Sequence, residues 1–383
     1  MTPEARVQAA TLLLDAVLDG QAAEQALTRW SRTNRYAGSK DRAAIRDLVF
    51  DALRRRRSYA AWGGAMTGRG LMIGALRAEG RDPEDVFTGQ GYAPAPVTEE
   101  ERAGFATPDE AQARDLPDWL WPEFEASLGN LAEVEARLMR DRAEVFLRVN
   151  LLKTQPDQAL IALQAEGIRC EPHALSPTAL RVIEGARRVH LSAAYKDGVV
   201  ELQDAASQAV VDALALQPGL RVLDFCAGGG GKALAIAAQT RARVDAHDID
   251  PARMKDIPAR AARAGAEVEI NTDPAGPFDM VVCDAPCSGS GSWRRAPEAK
   301  WRLTPERLEA LKSMQNSVLD AGSALVAPGG ALAYATCSLL EGENDARVQA
   351  FLARSPGWRT ERARRLTLSD GADGFFVAVL RRD

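Results

Sequence analysis

The sequence predicts an α/β protein whose largest domain is a doubly wound, mostly parallel sheet. An apolar run at 222–225 leads into four consecutive glycines, Gly228 to Gly231, and an Ala-rich helical segment follows them. Strand, glycine loop and helix in this order form a nucleotide-type pocket, because glycine lets the backbone turn tightly and approach a ligand. Asp248 lies about 20 residues further on, where an acidic residue is expected to bind ribose hydroxyls. A flexible loop without a ligand is the alternative for this stretch.

Length and composition are those of a globular protein with more than one domain. The chain has 383 residues, of which 46% are hydrophobic and 26% are charged, enough for two or three domains with cores of their own. No apolar run approaches the roughly 20 residues of a membrane span, and the N-terminus lacks the pattern of a signal peptide. We therefore expect a cytoplasmic protein without a membrane partner.

The cysteines and histidines are scattered along the chain. An odd number of cysteines argues against a disulfide framework, so each thiol is a candidate for chemistry or for core packing. The three histidines lie far apart and no zinc-ligand spacing is present, so no metal is expected. The cysteines are Cys170, Cys226, Cys283, Cys287 and Cys337.

The charge is unevenly distributed. The formal net charge is −5, yet residues 1–70 carry 12 Lys and Arg against 7 Asp and Glu, a local balance of +5 that includes the run Arg54 to Arg57. Residues 81–115 carry 3 against 9, a balance of −6. A basic face beside an acidic connector is compatible with RNA binding. A solvated helix end is the alternative for the arginine run.

The chain is predicted to be helical up to the connector. Thr2 and Pro3 are typical of a helix start, and apolar residues at helical spacing follow over 7–18 and again over 41–57. No strand alternation is found before residue 110, and five prolines among acidic residues at 81–117 mark a boundary.

A small α/β module and the main sheet follow. Residues 118–143 are helical, and strand 145–150, helix 156–165 and two further strands near 168–171 and 180–183 complete the module. The domains are predicted as 1–117, 118–200 and 201–383. A helix capped by Thr304 and followed by Pro328 is expected before the fifth strand of the sheet. The strands of the main sheet are predicted at 221–225, 242–247, 267–270, 279–284 and 331–336, with an antiparallel pair near 362–367 and 375–381.

Four sequence features are expected at one edge of this sheet. Ligands of open α/β sheets bind outside the carboxyl ends of the strands. The glycine loop, Asp248, DAPCSGSGSW from residue 284 and ATCS from residue 335 all follow predicted strands. The fourth and fifth strands are neighbours in such sheets, so Cys287 and Cys337 are expected to face one pocket. Cys170 and Cys283 are interpreted as inert core residues.

The glycine loop alone does not identify the nucleotide. Gly228, Gly230 and Ala233 also satisfy the GxGxxA pattern of dinucleotide-binding dehydrogenases. No hydride-transfer site follows it, whereas a pair of thiols is typical of covalent chemistry.

Three motifs together resemble a known family. CAGGGGK from residue 226, DAPCSGSGSWRRAPEAKW from residue 284 and YATCSLLEGEND from residue 334 resemble the RNA cytosine-5 methyltransferases of the RsmB/Sun type, over about residues 140–383. GSKDRAAIRDLVFDALRRRR at 38–57 resembles a NusB-like RNA-binding domain. The clearest departure is Gly228-Gly229, where many members have Ala-Pro. The resemblance implies a class I (Rossmann-like) methyltransferase domain, a small α/β RNA-binding module before it and an all-α NusB-like domain at the N-terminus.

The resemblance implies S-adenosyl-L-methionine as the cofactor and methyl donor. The glycine loop would surround its methionine portion, Asp248 would hold the ribose, Asp273 would lie on the adenine side, and Asp284 would border the sulfonium and the target base. The implied cofactor-binding residues are Cys226, Ala227, Gly228, Gly229, Gly230, Gly231, Lys232, Asp248, Asp273 and Asp284.

The resemblance also implies a covalent mechanism. Carbon 5 of cytosine is a poor nucleophile until a group adds to carbon 6, and the Cys337 thiolate would make that addition. Asp284 would stabilise the charge on the ring, and Cys287 would assist release. A free thiol has a pKa of about 8.5, so Cys337 needs activation, for which Lys232, Arg295 and Lys300 are candidates.

The segment 292–302 is a candidate RNA contact. It interleaves Trp293 and Trp301 with basic residues, a composition that suits base stacking and phosphate contact. The target base is expected to be unpaired or drawn out of its stack. Packing of an aromatic loop on the helix from residue 305 is the alternative.

The expected function is formation of 5-methylcytosine in RNA, with 16S ribosomal RNA as the expected partner. The same chemistry on transfer RNA or large-subunit RNA is one alternative. An inactive RNA-binding assembly factor is another, although a vestigial site has no need of both thiols. A monomer is expected.

Overall fold

The computed structural model describes residues 1–383, which fold into two compact units. The first contains Met1–Pro122, Asn130–Arg142 and Trp293–Arg302. The second contains Glu123–Gly129, Ala143–Ser292 and Leu303–Asp383. The division of the chain into three domains stays a prediction, as does the NusB-like character of the N-terminal part.

Seventeen α-helices are present, and several short 3-10 turns lie between them. Numbered in chain order, they are α1 Pro3–Leu18, α2 Ala23–Thr33, α3 Ser39–Arg54, α4 Arg56–Gly63, α5 Gly68–Ala78, α6 Glu99–Ala103, α7 Glu110–Ala113, α8 Trp121–Leu128, α9 Ala132–Leu138, α10 Pro156–Ala165, α11 Ala193–Lys196, α12 Ala205–Asp212, α13 Gly231–Thr240, α14 Ile257–Ala264, α15 Glu298–Arg302, α16 Pro305–Ala324 and α17 Asp345–Arg354.

Eleven strands form two sheets. They are β1 Phe146–Val149, β2 Arg169–Pro172, β3 Ala179–Glu184, β4 Val200–Leu202, β5 Val222–Asp224, β6 Val244–Ala246, β7 Val268–Ile270, β8 Phe278–Asp284, β9 Val326–Thr336, β10 Trp358–Leu366 and β11 Phe375–Arg382.

The first unit is helical, as the sequence predicts. The Thr2 hydroxyl accepts a hydrogen bond from the N–H of Ala5 and Pro3 opens α1, so this helix begins where the sequence places it. The stretch 41–57, however, is not a single helix. α3 ends at Arg54 and a new helix, α4, begins at Arg56. The core is formed by the apolar faces of α1, α3 and α5, with Leu14, Ile45 and Leu71 fully buried.

The second unit contains both sheets. The smaller sheet is antiparallel in the order β2-β3-β1-β4, and its three-residue strand β4 is absent from the sequence prediction. The larger sheet has the order β10-β11-β9-β8-β5-β6-β7, in which β5 to β9 are parallel and β11 runs antiparallel to both neighbours. The predicted α/β class is confirmed, and each of the seven strands predicted for this sheet is present.

Both faces of the larger sheet are covered. α12 and α13 cover one face, where Val222, Val282 and Ala333 are fully buried. α16 and α17 cover the other, where Val281 and Tyr334 are fully buried. No helix in the structure has the length and apolarity needed to cross a membrane.

One boundary of the sheet differs from the prediction. β9 begins at Val326 rather than at residue 331, so Pro328, Gly329 and Gly330 lie inside the strand and not between helix and strand. Proline and glycine commonly mark the ends of strands, so the sequence predicts a later start for β9. Proline is, however, tolerated near the first residues of a strand, which explains the difference.

Replacement of Gly322 tests the packing of α16 on the sheet. At an exposed helix position Gly→Ala stabilises by roughly 1 kcal/mol. A Cβ at Gly322, however, would lie 2.7 Å from Cys283 Sγ and 3.2 Å from Leu332 Cδ1. We expect Gly322→Ala to lower the free energy of unfolding by about 1–3 kcal/mol because of this overpacking. Urea denaturation measures it, with Ser313→Ala on the exposed side of α16 as the control; a stabilised Gly322→Ala variant would contradict the close packing.

Candidate active site

Two cysteine loops lie side by side at the carboxyl edge of the larger sheet. β8 and β9 pair in parallel so that Asp284 lies opposite Ala335, and the loops that follow them carry Cys287 and Cys337. The two Sγ atoms are 3.4 Å apart and either one can be the hydrogen-bond donor. Both thiols are free and both residues are partly exposed.

A buried ion pair adjoins the thiols. Lys232, in the first turn of α13, donates a hydrogen bond from Nζ to Asp284 Oδ2 at 2.6 Å. Burial alone would lower the pKa of Lys232, but the Asp284 carboxylate outweighs it and holds that pKa above its ordinary value. The ammonium also lies 5.1 Å from the ring centroid of Phe375. Lys232 is therefore a permanent cation at this edge of the sheet.

The two thiols differ in their electrostatic surroundings. The hydrogen bond with Cys287 lowers the pKa of Cys337, and the charge of Lys232 acts in the same direction against burial and Asp284. The pKa of Cys287 is raised well above that of a free thiol, first by the same hydrogen bond and then by burial. Both directions favour Cys337 over Cys287 as the thiol that ionises.

The three cations considered for activating Cys337 differ in their surroundings. Lys232 acts on Cys337 directly. Lys300 is fully buried in the first unit, where its Nζ donates to the carbonyl of Arg54 at 2.9 Å. Arg295 is exposed on the segment that contains Lys300.

The glycine loop after β5 has the backbone geometry that only glycine adopts readily. Gly228 has φ +49° and Gly230 has φ +80°. A Cβ at Gly230 would also lie 2.8 Å from Ile257 Cγ1. Arg148 donates a hydrogen bond to the carbonyl of Gly231 at 2.7 Å. The loop is therefore a turn whose backbone angles and hydrogen bonds are those that a glycine cradle requires.

Asp248 is tied to the glycine loop. Its Oδ2 accepts a hydrogen bond from the N–H of Gly228 at 3.0 Å, and its Oδ1 accepts one from the N–H of Asp250 at 3.0 Å. The Arg253 guanidinium lies 3.0 Å from the carboxylate and is half exposed. Asp248 is thus placed at the predicted pocket, with one half-exposed cation as its partner.

The remaining predicted residues divide into two groups. The N–H of Ala227 donates to the carbonyl of His247 at 2.8 Å, which joins the loop to the end of β6. Cys226 lies at the start of the loop, and burial raises the pKa of its thiol. Asp273 is exposed beyond β7, where its N–H bonds to the Asn271 side chain at 3.2 Å; no hydrogen bond or ion pair joins it to the other predicted residues.

Asp224, at the end of β5, is a site residue that the sequence analysis missed. Its carboxyl group is buried and neither oxygen has a hydrogen-bond partner at normal geometry. Burial, followed by the charge of Asp284, raises its pKa to about 7. Asp224, Lys232 and Asp284 thus form one cluster of charged groups. Asp224 lies within a short apolar run, where an acid is easily taken for the end of a strand.

These residues fit a nucleoside-like cationic donor. The cradle is a glycine turn with positive φ angles. Asp248 is bonded to the backbone of this turn, and Asp224 lies just before it. Ile249, next to Asp248, is almost fully exposed and offers an apolar surface at the same edge. Carboxylates suit hydroxyl groups and a positive charge, and an exposed aliphatic side chain suits a flat ring.

The tryptophans of segment 292–302 do not form an exposed stacking surface. Trp293 and Lys300 are fully buried, and the indole N–H of Trp301 donates to the carbonyl of Leu53 at 2.7 Å. Burial lowers the pKa of Lys300 to about 7. Glu298 accepts a hydrogen bond from the N–H of Ala23 at the start of α2. The segment belongs to the first unit. Burial of Trp293 rules out base stacking on that ring, whereas phosphate contact by the exposed Arg295 and Arg302 stays a prediction.

The arginine run is also occupied by contacts within the protein. Arg54 is buried and donates to the carbonyl of Arg294 at 2.9 Å. Arg56 lies 5.2 Å from the ring centroid of Trp301, and Arg57 pairs with Asp118 at 2.5 Å. Arg55 pairs with Asp51 at 3.1 Å. The run is therefore more than a solvated helix end, and phosphate contact by its partly exposed members, Arg55 to Arg57, stays a prediction.

A buried carboxylate beneath the cysteines was missed as well. Glu343 is fully buried and accepts hydrogen bonds from the backbone and hydroxyl of Ser288 and from the hydroxyl of Ser338. The motif YATCSLLEGEND contains this residue, but spacing alone does not distinguish Glu343 from the exposed Glu341.

Replacement of Asp224 tests its raised pKa. The folded state holds the Asp224 proton more tightly than the unfolded state, so the wild type loses stability as the pH rises from about 4 to about 7. Asp224→Asn has no such proton. We expect the variant to be more stable than the wild type at pH 8, by on the order of 3 kcal/mol, and equal to it near pH 4. Chemical denaturation at several pH values measures this, with the exposed Asp157→Asn as control; a pH-independent difference would contradict it.

Comparison with known proteins gives matches along most of the chain. A family model described as 16S rRNA methyltransferase RsmB/F matches residues 211–381, and one described as Methyltr_RsmF/B-like, ferredoxin-like domain, matches residues 116–190. A ribosomal RNA small subunit methyltransferase B from Citrobacter koseri is 34% identical over 82% of this chain and 73% of its own. One from Xylella fastidiosa is 32% identical over 90% of each chain.

Solved structures agree on the fold. The crystal structure of a methyltransferase homolog from Pyrococcus horikoshii covers 70% of this chain and 96% of its own with a TM-score of 0.62 at 24% identity. With these sequence identities over these shares of both chains, the chain belongs to the RsmB/F family of methyltransferases.

Proposed function

We propose that this protein transfers a methyl group from S-adenosyl-L-methionine to carbon 5 of a cytosine in 16S ribosomal RNA, through a covalent adduct with Cys337. The observation that carries the proposal is the pair of thiols 3.4 Å apart beside the Lys232–Asp284 ion pair, at the sheet edge that also bears the glycine loop. The relatives named ribosomal RNA small subunit methyltransferase B support the choice of RNA.

The donor, when bound, supplies an electrophilic methyl group on a sulfonium. In this proposal residues 226–232 hold its methionine portion, Asp248 holds the ribose hydroxyls and Asp273 lies on the adenine side. The Asp284 carboxylate, fixed by Lys232, borders the sulfonium. The ribose replaces the half-exposed Arg253 as the partner of Asp248. This exchange is possible because the arginine of the ion pair is solvent-accessible and such pairs are weak.

Cys337 is the nucleophile in this proposal. Its thiolate adds to carbon 6 of the cytosine, and the electron pair of the 5,6 double bond becomes available at carbon 5 for attack on the methyl group. A proton that Asp284 takes up from solvent and shares with ring nitrogen 3 stabilises the negative charge that thiolate addition places on the ring. The hydrogen bond from Cys287 and the charge of Lys232 favour the required thiolate.

Cys287 assists release. After methyl transfer a water molecule takes the proton from carbon 5, the electron pair of that C–H bond re-forms the 5,6 double bond, and the bond between carbon 6 and Cys337 breaks to return the Cys337 thiolate. Cys287 Sγ is 3.4 Å from the departing sulfur, close enough for its S–H to stabilise that thiolate by a hydrogen bond. Its raised pKa keeps it protonated, and therefore non-nucleophilic, while Cys337 attacks.

The two cysteine variants separate these roles. We expect Cys337→Ala to be inactive and to form no covalent complex, because no thiolate adds to carbon 6. We expect Cys287→Ala to transfer the methyl group but to stall before elimination, so that a methylated protein–RNA adduct accumulates. Each variant is incubated with 16S RNA and labelled donor and analysed by denaturing electrophoresis.

The two substitutions are chemically identical, so each variant is the control for the other. An adduct with Cys337→Ala and none with Cys287→Ala would reverse the assignment. No adduct with either would contradict the covalent mechanism. Bisulfite sequencing of ribosomal and transfer RNA from a deletion strain decides the substrate.

The surface of the first unit that suits phosphate contact lies on α2, the turn that follows it and the first turn of α3. Arg29, Arg32, Arg35 and Lys40 are exposed there and make no ion pair. Tyr36 is 73% exposed and its hydroxyl bonds to the Asn34 side chain. Free cations beside an exposed aromatic ring are the features that bind RNA phosphates and unpaired bases. These five side chains are the basic surface proposed to bind RNA.

Removal of three charges tests this basic surface. We expect the triple variant Arg32→Gln, Arg35→Gln, Lys40→Gln to bind RNA more weakly, with a salt slope reduced by about 0.7–0.9 for each phosphate that the variant no longer neutralises. Donor affinity is expected to stay unchanged. Filter binding at salt concentrations from about 50 to about 300 mM measures the RNA affinity and its salt slope. The double variant Arg354→Gln, Arg359→Gln in the second unit is the control, and an equal weakening with both would contradict the assignment.

A further inference from the structure

A single buried carboxylate connects the two cysteine loops. Glu343 ends the turn Glu341–Glu343 after β9 and is fully buried. One oxygen accepts hydrogen bonds from the N–H of Ser288 at 2.8 Å and from the Gln315 side chain at 3.0 Å. The other accepts from the hydroxyls of Ser288 and Ser338, each at 2.5 Å. Four donors thus converge on one side chain.

These donors flank the reactive residues. Ser288 follows Cys287 directly, and Ser338 follows Cys337 directly. Gln315 also donates to the carbonyl of Pro286 at 2.9 Å, on the other side of Cys287. Because the partners of Glu343 are the nearest neighbours of both cysteines, the distance between the thiols depends on this carboxylate.

The two thiols have different charged groups beside them. The Lys232 ammonium acts on Cys337, whereas the Glu343 carboxylate lies beside the backbone of the Cys287 loop. The other charged or titratable groups at the pair are Asp284, on the side of Cys337, and Tyr334, whose hydroxyl donates to the backbone carbonyl of Glu343 at 2.6 Å. The charges of Lys232 and Asp284 oppose each other at Cys337, whereas the negative charge of Glu343 acts on Cys287 and favours a proton there.

We propose that Glu343 is a positioning residue that aligns the two thiols and keeps their shared proton on Cys287. The proposal rests on the proposed function, because it explains why Cys337 and not Cys287 is the nucleophile. Cys287 then donates its S–H to the Cys337 thiolate. In agreement, the charge of Glu343 is among the causes that raise the pKa of Cys287, after its hydrogen bond with Cys337 and burial.

The chemistry of the side chain accounts for the choice of glutamate. A carboxylate offers acceptor sites on both oxygens, enough for all four donors. A glutamine keeps the shape but replaces one acceptor by an NH₂ group that faces donors, and it removes the charge. Glu343→Gln therefore separates the charge from the size of the side chain.

Alkylation by iodoacetamide tests the proposal in the absence of RNA and donor. Because only thiolates react, the wild type at pH 7 is expected to be modified faster at Cys337 than at Cys287. We expect Glu343→Gln to lower the ratio of the two rates at least tenfold and Glu343→Asp to restore much of it. Peptide mapping by mass spectrometry measures both rates.

Glu341→Gln is the matched control, since Glu341 is exposed in the same turn and is expected to leave the ratio unchanged. A folded Glu343→Gln variant whose ratio stays within twofold of the wild type would overturn the proposal. The measurement needs no methyl transfer, so its result does not depend on whether the proposed function is correct.

A second measurement tests the proposal if the Glu343→Gln variant does not fold. The thiolate absorbance near 240 nm is followed against pH in Cys337→Ala and in Cys287→Ala, with Glu343 intact in both. We expect the remaining Cys287 to ionise at a pH at least one unit, a tenfold change in acidity, above that of the remaining Cys337. The opposite order would overturn the proposal.

Discussion

The parallel pairing of β8 with β9 is the constraint on which the site depends. Asp284 lies opposite Ala335, so the loops that leave these strands start side by side. A slip of this pairing by one residue would turn alternate side chains to the other face of the sheet and separate the thiols. The apolar residues of both strands are buried on both faces, and this burial fixes the pairing.

Buried charges at this edge are stabilised by partners rather than by water. Lys232 is held by Asp284, and Glu343 is held by serine and amide donors. Charges without such partners are costly to bury, and Asp224 shows the cost as a pKa raised to about 7. The site therefore combines hydrogen-bonded charges that fix its geometry with one buried acid whose pKa is raised, and perturbed groups of this kind are typical of functional sites.

Much of the larger sheet could be predicted from the sequence because its strands are short apolar runs followed by glycine, acid or cysteine motifs. The adjacency of Cys287 and Cys337 follows from the order of strands in such sheets. Glu343 could not be found in this way, because the burial of a polar side chain depends on tertiary contacts that periodicity does not contain. The surroundings of Trp301 and Arg54 were missed for the same reason: their hydrogen bonds join residues more than 200 positions apart in the chain.

The path of segment Trp293–Arg302 makes the two units inseparable as contiguous pieces of chain. This segment lies late in the sequence, but it belongs to the helical unit, where Lys300 and Trp301 bond to the carbonyls of Arg54 and Leu53. A fragment that stopped after residue 142 would leave those carbonyls without donors. A fragment that began there would retain Trp293 and Lys300 without the helices beside which they are buried. Cutting the gene after residue 142 would therefore not yield two intact modules. Any exchange of the N-terminal unit between relatives must include segment Trp293–Arg302 as well.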